Sequence, residues 1–285
     1  MSAIGPCPPE SYTVLSSMNR NKGVRVMDLG ISGRKAIICA SSKGLGKGCA
    51  MALAEAGCEI TINGRQMDIL SATAKEIREK TGAVVHEVGG DVSERAVQDA
   101  LLSACPEPDI LINNNGGPPL KDFRTLDREA ILGGVVQNMV TPIELVQRVI
   151  DGMVARKFGR IINITSASVL TPLSGLDLSS GARAGLTAFL AGVARDVAHA
   201  NVTINAILPG MFDTDRIRNN FANAAARQNV PEDKIRADRI NNVPAKRLGE
   251  ADEFGNLAAF LASAHAGYIT GQNLLIDGGA FRSAF

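Results

Sequence analysis

Residues 35–48, KAIICASSKGLGKG, join a short, continuously apolar run to three closely spaced glycines. Ala36 to Ala40 is too short and too evenly apolar for a surface helix, so it reads as a fully buried strand of a parallel sheet. The chain then turns through Ser41, Ser42 and Lys43 into a helix expected over about Leu45 to Glu55. Gly44, Gly46 and Gly48 let backbone approach a ligand and let that helix pack against the strand. The free N–H groups and positive dipole end of the helix would cradle a pyrophosphate. A glycine turn also occurs with no ligand in it, so the rest of the chain has to carry the reading.

Outward from this turn, apolar runs alternate with helix-like segments. Further strands are expected at Glu59 to Asn63, Ala83 to Val88, Asp109 to Asn113, Arg160 to Thr165, Val202 to Leu208 and Asn273 to Asp277. Strands alternating with helices predict an α/β, doubly wound, seven-stranded parallel sheet of Rossmann type in a single domain over residues 31–285. Residues 1–30, with Pro6, Pro8, Pro9 and a polar SSMNRNKG stretch, read as a flexible extension. The longest irregular stretch is expected between Pro209 and Pro244.

A chain of 285 residues with 45% hydrophobic content can bury a large core, and a net charge of +1 from evenly spread acids and bases argues against nucleic acid or an anionic membrane as partner. A small neutral or anionic molecule fits better. No apolar run reaches the roughly 20 residues that span a bilayer, and the N-terminus lacks the blocks of a signal peptide, so a cytoplasmic protein is expected. Cys7, Cys39, Cys49, Cys58 and Cys105 show no CxxC pairing and are assigned no metal or disulfide.

On a helix expected from about Asp127 to Arg156, Ile131, Val135, Met139, Ile143, Val146, Ile150 and Met153 recur at helical spacing and predict a buried stripe. Pro142 lies within it. Lacking an N–H, it should kink the helix and free the Asn138 carbonyl, which makes Asn138 a candidate site residue. A helix from about Gly181 to Ala198 combines a stripe of Leu186, Phe189, Leu190, Val193 and Val197 with many small residues.

Together these segments resemble the short-chain dehydrogenase/reductase family over about Gly33 to Phe281. The family's TGxxxGxG turn falls on Cys39 to Gly46, its NNAG on Asn113 to Gly116, its site Asn on Asn138, and its catalytic Ser on Ser166 of GRIINITS. The PG after the sixth strand is Pro209 and Gly210, and the C-terminal DGG is Asp277 to Gly279. Ala40 replaces the first turn glycine, and Asn115 replaces the Ala of NNAG. The larger departure is at YxxxK: thirteen residues after Ser166 stands Ser179, and four further on stands Arg183. Tyr12 and Tyr268 lie where the family's acid would not be.

The resemblance implies a nicotinamide cofactor held by Ala40, Ser42, Lys43, Gly44, Leu45 and Gly46. It also implies Asp91 and Val92 at the adenine, Asn113 and Gly116 on the ribose and nicotinamide side, Pro209 and Gly210 after the sixth strand, and Thr214 at the carboxamide. Where NAD-specific members carry an acid, the second strand here ends in Asn63, Gly64, Arg65. A guanidinium suits a 2′-phosphate, and with Lys43 nearby NADP(H) is the expected cofactor. Ser179 cannot act as the family's phenol does, because an alkanol is a far weaker acid. Arg183 can bond the nicotinamide ribose and hold a developing oxyanion or a substrate carboxylate. The catalytic set expected is therefore Ser166, Ser179, Arg183 and Asn138, with water delivering the proton. Asp177, Asp213 and Asp215 are weighed as acids or bases against roles as caps and solvated charges, and His86, His199 and His265 read as structural.

An NADPH-dependent carbonyl reductase similar to the 3-oxoacyl carrier-protein reductases is the first reading, acting on a small-molecule carbonyl substrate under a lid at about residues 209–245. A lyase or isomerase on the same scaffold, and a non-catalytic NADP(H)-binding protein, are the alternatives. The two helices resemble those through which family members form a four-helix dimer contact, so a homo-oligomer, dimer or tetramer, is expected.

Overall fold

The computed structural model describes residues 27–118 and 120–283. Most of the expected extension, residues 1–26, lies outside them together with Tyr12 and Cys7, while Leu29, inside the expected boundary, already docks on the fold by accepting the Ala264 N–H.

In chain order the elements are β1 (Lys35–Ile38), α1 (Gly44–Glu55), β2 (Glu59–Gly64), α2 (Met67–Thr81), β3 (Val85–Gly89), α3 (Arg95–Ala104) and β4 (Ile110–Asn113). Then come α4 (Arg128–Val135), α5 (Thr141–Ala155), β5 (Gly159–Ile164), α6 (Asp177–Val197), β6 (Val202–Pro209), α7 (Asp215–Gln228), α8 (Glu232–Asn241), α9 (Ala251–Ala262) and β7 (Asn273–Ile276). The strands form one parallel sheet in the order β3-β2-β1-β4-β5-β6-β7. The order reverses between β1 and β4, so a crevice opens at their C-terminal ends, where the glycine turn and the segment after Asn113 meet. The inner strands are buried on both faces, which is why they read as unbroken apolar runs. One core lies under α1, α2 and α9, the other under α3, α5 and α6.

Gly48 serves a purpose other than the one expected of it. A β-carbon there would lie 2.2 Å from the Ala251 carbonyl oxygen, and one at Gly255 would lie 2.2 Å from the carbonyl of Gly48. The close approach it permits is thus to α9, not to the strand.

The single helix expected at 127–156 is broken. Between α4 and α5 the residues Val136–Val140 form a π-helical turn, in which the Thr141 N–H reaches back five residues to the Val136 carbonyl. Pro142 follows at the start of α5. The slipped ladder passes over the Gln137 carbonyl, which accepts from Asn115 Nδ2 at 3.1 Å. The disturbance at Pro142 was therefore expected correctly, but the carbonyl that finds an outside partner is that of Gln137 and not that of Asn138. The stripes are also less buried than their spacing suggests: Ile131 and Phe189 are exposed, along with Leu132, Val136 and Val140 on the same pair of helices.

The stretch between Pro209 and Pro244 is not irregular. It folds as α7 and α8, which close a small cluster of Phe221, Ala225, Ile235 and Leu248. Ile217, Phe221 and Ala225 recur every four residues on a helix that is otherwise polar, a stripe too narrow to stand out in the sequence. Asn229 ends α7 in the left-handed conformation.

Candidate active site

The glycine turn is locked from three sides. Ser41 donates its N–H to the Asn63 carbonyl and its hydroxyl to the Ile38 carbonyl, while Asn63 Oδ1 accepts from the Ala40 N–H. Asn114 Nδ2 donates to the Ala40 carbonyl at 3.0 Å. Ala40 itself sits at φ 44°, the left-handed region in which a glycine would be unstrained. A β-carbon at Gly46 would lie 2.4 Å from the Ala40 oxygen, so only glycine fits there. No side chain caps the start of α1, which leaves its first N–H groups turned toward the crevice. Thr214 lies across from Gly44, whose β-carbon would be 3.3 Å from the threonine methyl. Leu45 packs on the core below.

These features fit a dinucleotide: uncapped N–H groups for the pyrophosphate, an open face at Gly116, and Arg65 at the tip of β2. Arg65 is exposed, and Ser42 packs against Gly64, the residue before it. Lys43 forms an ion pair with Asp215 at 3.4 Å, toward α7. Both partners are more than half exposed, so this pair is weak and leaves the lysine available. Asp91 accepts from the N–H and hydroxyl of Ser93 through one carboxylate oxygen. Val92 is buried in the core, so of the two residues expected at the adenine only Asp91 offers a side chain.

Asn113 turns inward. Its amide Nδ2 donates to the Pro142 carbonyl and to Asn163 Oδ1, which ties β4 to α5 and β5, while its buried Oδ1 has no partner among the described residues. Gly210, which donates to the Ile276 carbonyl after Pro209 ends β6, would put a β-carbon 2.6 Å from that of Asp277. The PG and DGG segments are thus packed on each other.

Of the expected catalytic residues the structure brings Ser179 and Arg183 into contact, and Arg183 reaches the C-terminal ends of β4 and β5. Ser179 and Arg183 are one turn apart on the buried face of α6, and Arg183 Nε donates to Ser179 Oγ at 3.3 Å. Arg183 Nη1 donates to the Ile164 carbonyl at the end of β5, and Nη2 to the Asn115 carbonyl at 3.3 Å. The side chain is thereby fixed, with two of a guanidinium's five N–H bonds uncommitted among the described residues. Arg183 is only 8% exposed and has no carboxylate partner among the described residues. Burial, and the charge of Arg216 nearby, pull its pKa down to about 10.

Ser166 Oγ accepts from both the N–H and the hydroxyl of Ser168, so its own proton is free to be donated. Asn138, buried in the π turn, donates Nδ2 to the Gly134 carbonyl, while its Oδ1 has no partner among the described residues.

The acids take the quieter roles. Asp177 accepts from the Gly175 N–H, Asp213 pairs with Arg218, and Asp215 pairs with Arg218 and Lys43. Tyr268 is fully exposed before β7. His86 meets Glu59, while His199 and His265 meet main-chain carbonyls. Burial pushes the thiols of Cys39, Cys49 and Cys58 up to about 12, which makes them inert small hydrophobes.

Sequence reasoning missed Asn114, Ser168 and the side chain of Asn115. Asn115 was visible as a departure from NNAG, and that was the signal available for it.

Residues 39–280 match the family described as enoyl-(acyl carrier protein) reductase. The NADPH-dependent reductase BacG of Bacillus subtilis (strain 168) is 31% identical over 89% of this chain and 100% of its own. The 3-oxoacyl-[acyl-carrier-protein] reductase FabG of Aquifex aeolicus (strain VF5) is 30% identical over 90% of this chain and 100% of its own. Among solved structures, L-sorbose reductase from Gluconobacter frateurii, in complex with NADPH and L-sorbose, superposes with a TM-score of 0.85 at 28% identity, covering 90% of this chain and 100% of that one.

Proposed function

Because the chain belongs to the short-chain dehydrogenase/reductase family, we propose that it reduces a carbonyl compound, with Arg183 and Ser166 holding the oxygen that relatives meet with a tyrosine. It is an NADP(H)-dependent oxidoreductase, in line with the NADPH-dependent BacG and the NADPH complex of L-sorbose reductase. A lyase, an isomerase and a non-catalytic binder are not favoured. The observation that carries the proposal is the buried, acid-free guanidinium of Arg183, held by Ser179, Ile164 and Asn115 with N–H bonds to spare.

NADPH, when bound, supplies the hydride to the carbonyl carbon. As charge gathers on the carbonyl oxygen, the uncommitted N–H bonds of Arg183 and the free hydroxyl proton of Ser166 take it up. Ser168 aims Ser166 by donating to it. Ser179 orients the Arg183 Nε edge, and as an alkanol it is too weak an acid to release its proton, so water delivers one. The unpartnered, buried Oδ1 of Asn138 supports a role as the acceptor that anchors such a water. Arg65 and Ser42 receive the 2′-phosphate, and α7 and α8 cover the substrate.

No helix among the described residues is long and apolar enough to cross a membrane. The free, buried thiols support a reducing, cytoplasmic setting. The exposed apolar residues of α4, the π turn and α6 support a homo-oligomer built through that face.

The test is a screen of ketones and aldehydes with NADPH, followed by loss of nicotinamide fluorescence and by the alcohol formed. Stoichiometric consumption is expected. Tight NADPH binding with no carbonyl consumed would return the non-catalytic reading.

A further inference from the structure

Arg216, in the first turn of α7, has entered so far only as a charge that lowers the Arg183 pKa. Its Nη1 donates to the Gly117 carbonyl at 3.1 Å and its Nη2 to the Pro118 carbonyl at 3.4 Å, across 99 residues of sequence. The loop has a seat for it: a β-carbon at Gly117 would lie 2.6 Å from Nη1 and 2.7 Å from Nη2, so the guanidinium lies where any larger residue would intrude. The same loop holds Arg183 through the Asn115 carbonyl. Two guanidiniums thus hang on main-chain oxygens two and three residues apart, one buried at the catalytic centre and one exposed at its rim.

No carboxylate among the described residues neutralises them. Asp215, directly before Arg216, pairs with Lys43 and Arg218, and Asp213 pairs with Arg218. Neither Arg183 nor Arg216 has an ion pair among the described residues; desolvation lowers the pKa of both, and the charge of Arg216 lowers that of Arg183 further. Adjacent cations without an acid are costly unless an anion joins them. The two also keep uncommitted N–H bonds, which in a guanidinium form the planar fork that matches a carboxylate. The pyrophosphate is accounted for elsewhere, at the uncapped start of α1 facing Thr214.

We propose that Arg216 is a specificity residue that binds the carboxylate of an oxocarboxylic acid while Arg183 and Ser166 hold the oxo group being reduced. This rests on the reductase reading and names its substrate class. The neighbouring Gly117 and Pro118 carbonyls fix the fork, and the short span between the two arginine anchors selects acids whose oxo group lies within a few carbons of the carboxylate.

The experiment compares 2-oxo, 4-oxo and 5-oxo acids with their methyl esters in the wild type, Arg216→Met and Arg216→Lys. NADPH affinity is measured for each by nicotinamide fluorescence. One charge-assisted pair is expected to favour acid over ester by roughly ten- to a hundredfold in kcat/KM. Arg216→Met should erase that preference through KM, with ester rates and NADPH affinity within about twofold, and Arg216→Lys should restore part of it. Equal use of acid and ester by the wild type overturns the proposal, as does an equal loss of both in Arg216→Met. A fall in NADPH affinity in Arg216→Met also overturns it, by making Arg216 a cofactor contact. Esters reduced while acids are not would leave the reductase reading standing and remove this one. If neither class is reduced, the reductase reading fails, and binding of oxamate against oxamide to the NADPH complex decides the anion site. Oxamate binding lost in Arg216→Met supports it, and binding of neither, or of both alike, overturns it.

Discussion

The Asn115 carbonyl accepts from Arg183 Nη2 at 3.3 Å, which joins two of the positions where this chain departs from its family's pattern. Asn115 is in turn anchored through its own side chain: Nδ2 donates to the Gln137 carbonyl freed by the π turn, and Oδ1 accepts from the Gly116 N–H. An alanine at 115 would keep the carbonyl but lose both anchors. The side chain therefore acts on Arg183 through the backbone, as a positioning group.

Asn115→Ala is expected to lower kcat about tenfold with NADPH affinity unchanged, and to cost about 1–3 kcal/mol of stability, the usual worth of the two hydrogen bonds lost. Turnover, fluorescence titration and urea unfolding measure the three. A loss of stability with unaltered kcat would reduce Asn115 to a structural residue.

Arg183→Ala should lower turnover by roughly a hundredfold or more, because one charge-assisted donor to a developing oxyanion is removed. NADPH, held mainly by the glycine turn and Arg65, should stay bound. Survival of turnover within a few fold would shift the catalytic role to Ser166 and ordered water.

Cofactor choice rests on Arg65, which is exposed and has no ion pair among the described residues. Arg65→Asp is expected to weaken NADPH at least tenfold and to leave NADH unchanged or improved, since the new carboxylate suits ribose hydroxyls and repels a 2′-phosphate. Lys43→Ala should do less, because Lys43 is shared with Asp215. Equal effects on both nucleotides would show that Arg65 does not face the phosphate.

How far the sequence could be read follows from the range of each interaction. The strands were legible because burial on both faces writes itself as short apolar runs, and Ser179 and Arg183 were legible because they stand where the family's YxxxK pattern falls, counted from Ser166. The role of Asn115 was not, since it depends on which carbonyl the π turn releases, and that is set by ladder register, not composition. Arg216 was hidden for a different reason. Its seat at Gly117 and Pro118 exists only once α7 folds over the loop after β4, and α7 itself was obscured by its polar faces.

Assembly has a direct handle in Phe189, 49% exposed on α6, while Val136 and Val140 of the π turn that packs on α6 are also exposed. Burying these side chains between copies would be favourable, each large apolar group contributing about 1.5–3 kcal/mol when fully covered. Light scattering should report a dimer or tetramer for the wild type and a smaller species for Phe189→Asp. A monomeric wild type at micromolar concentration would contradict the assignment.

The pH dependence separates an arginine-centred site from one built on tyrosine and lysine. A guanidinium supports the reaction only while it carries its charge, and burial, with Arg216 nearby, brings the Arg183 pKa down to about 10. Below that value the residue is cationic, and as pH rises through it the charge and its stabilisation of the oxyanion are lost. The kcat/KM for reduction should therefore stay level through neutral pH and fall only as pH approaches about 10. A phenol lowered by a neighbouring lysine would instead impose its limb below the ordinary tyrosine value of about 10. Arg183→Lys identifies the limb's owner: a buried ammonium has a lower starting pKa than a guanidinium and loses its proton more readily, so the limb should move to lower pH. A limb that stays in place in Arg183→Lys would belong to another group, and a wild-type limb near neutrality would mean that a titrating group other than Arg183 limits the reaction.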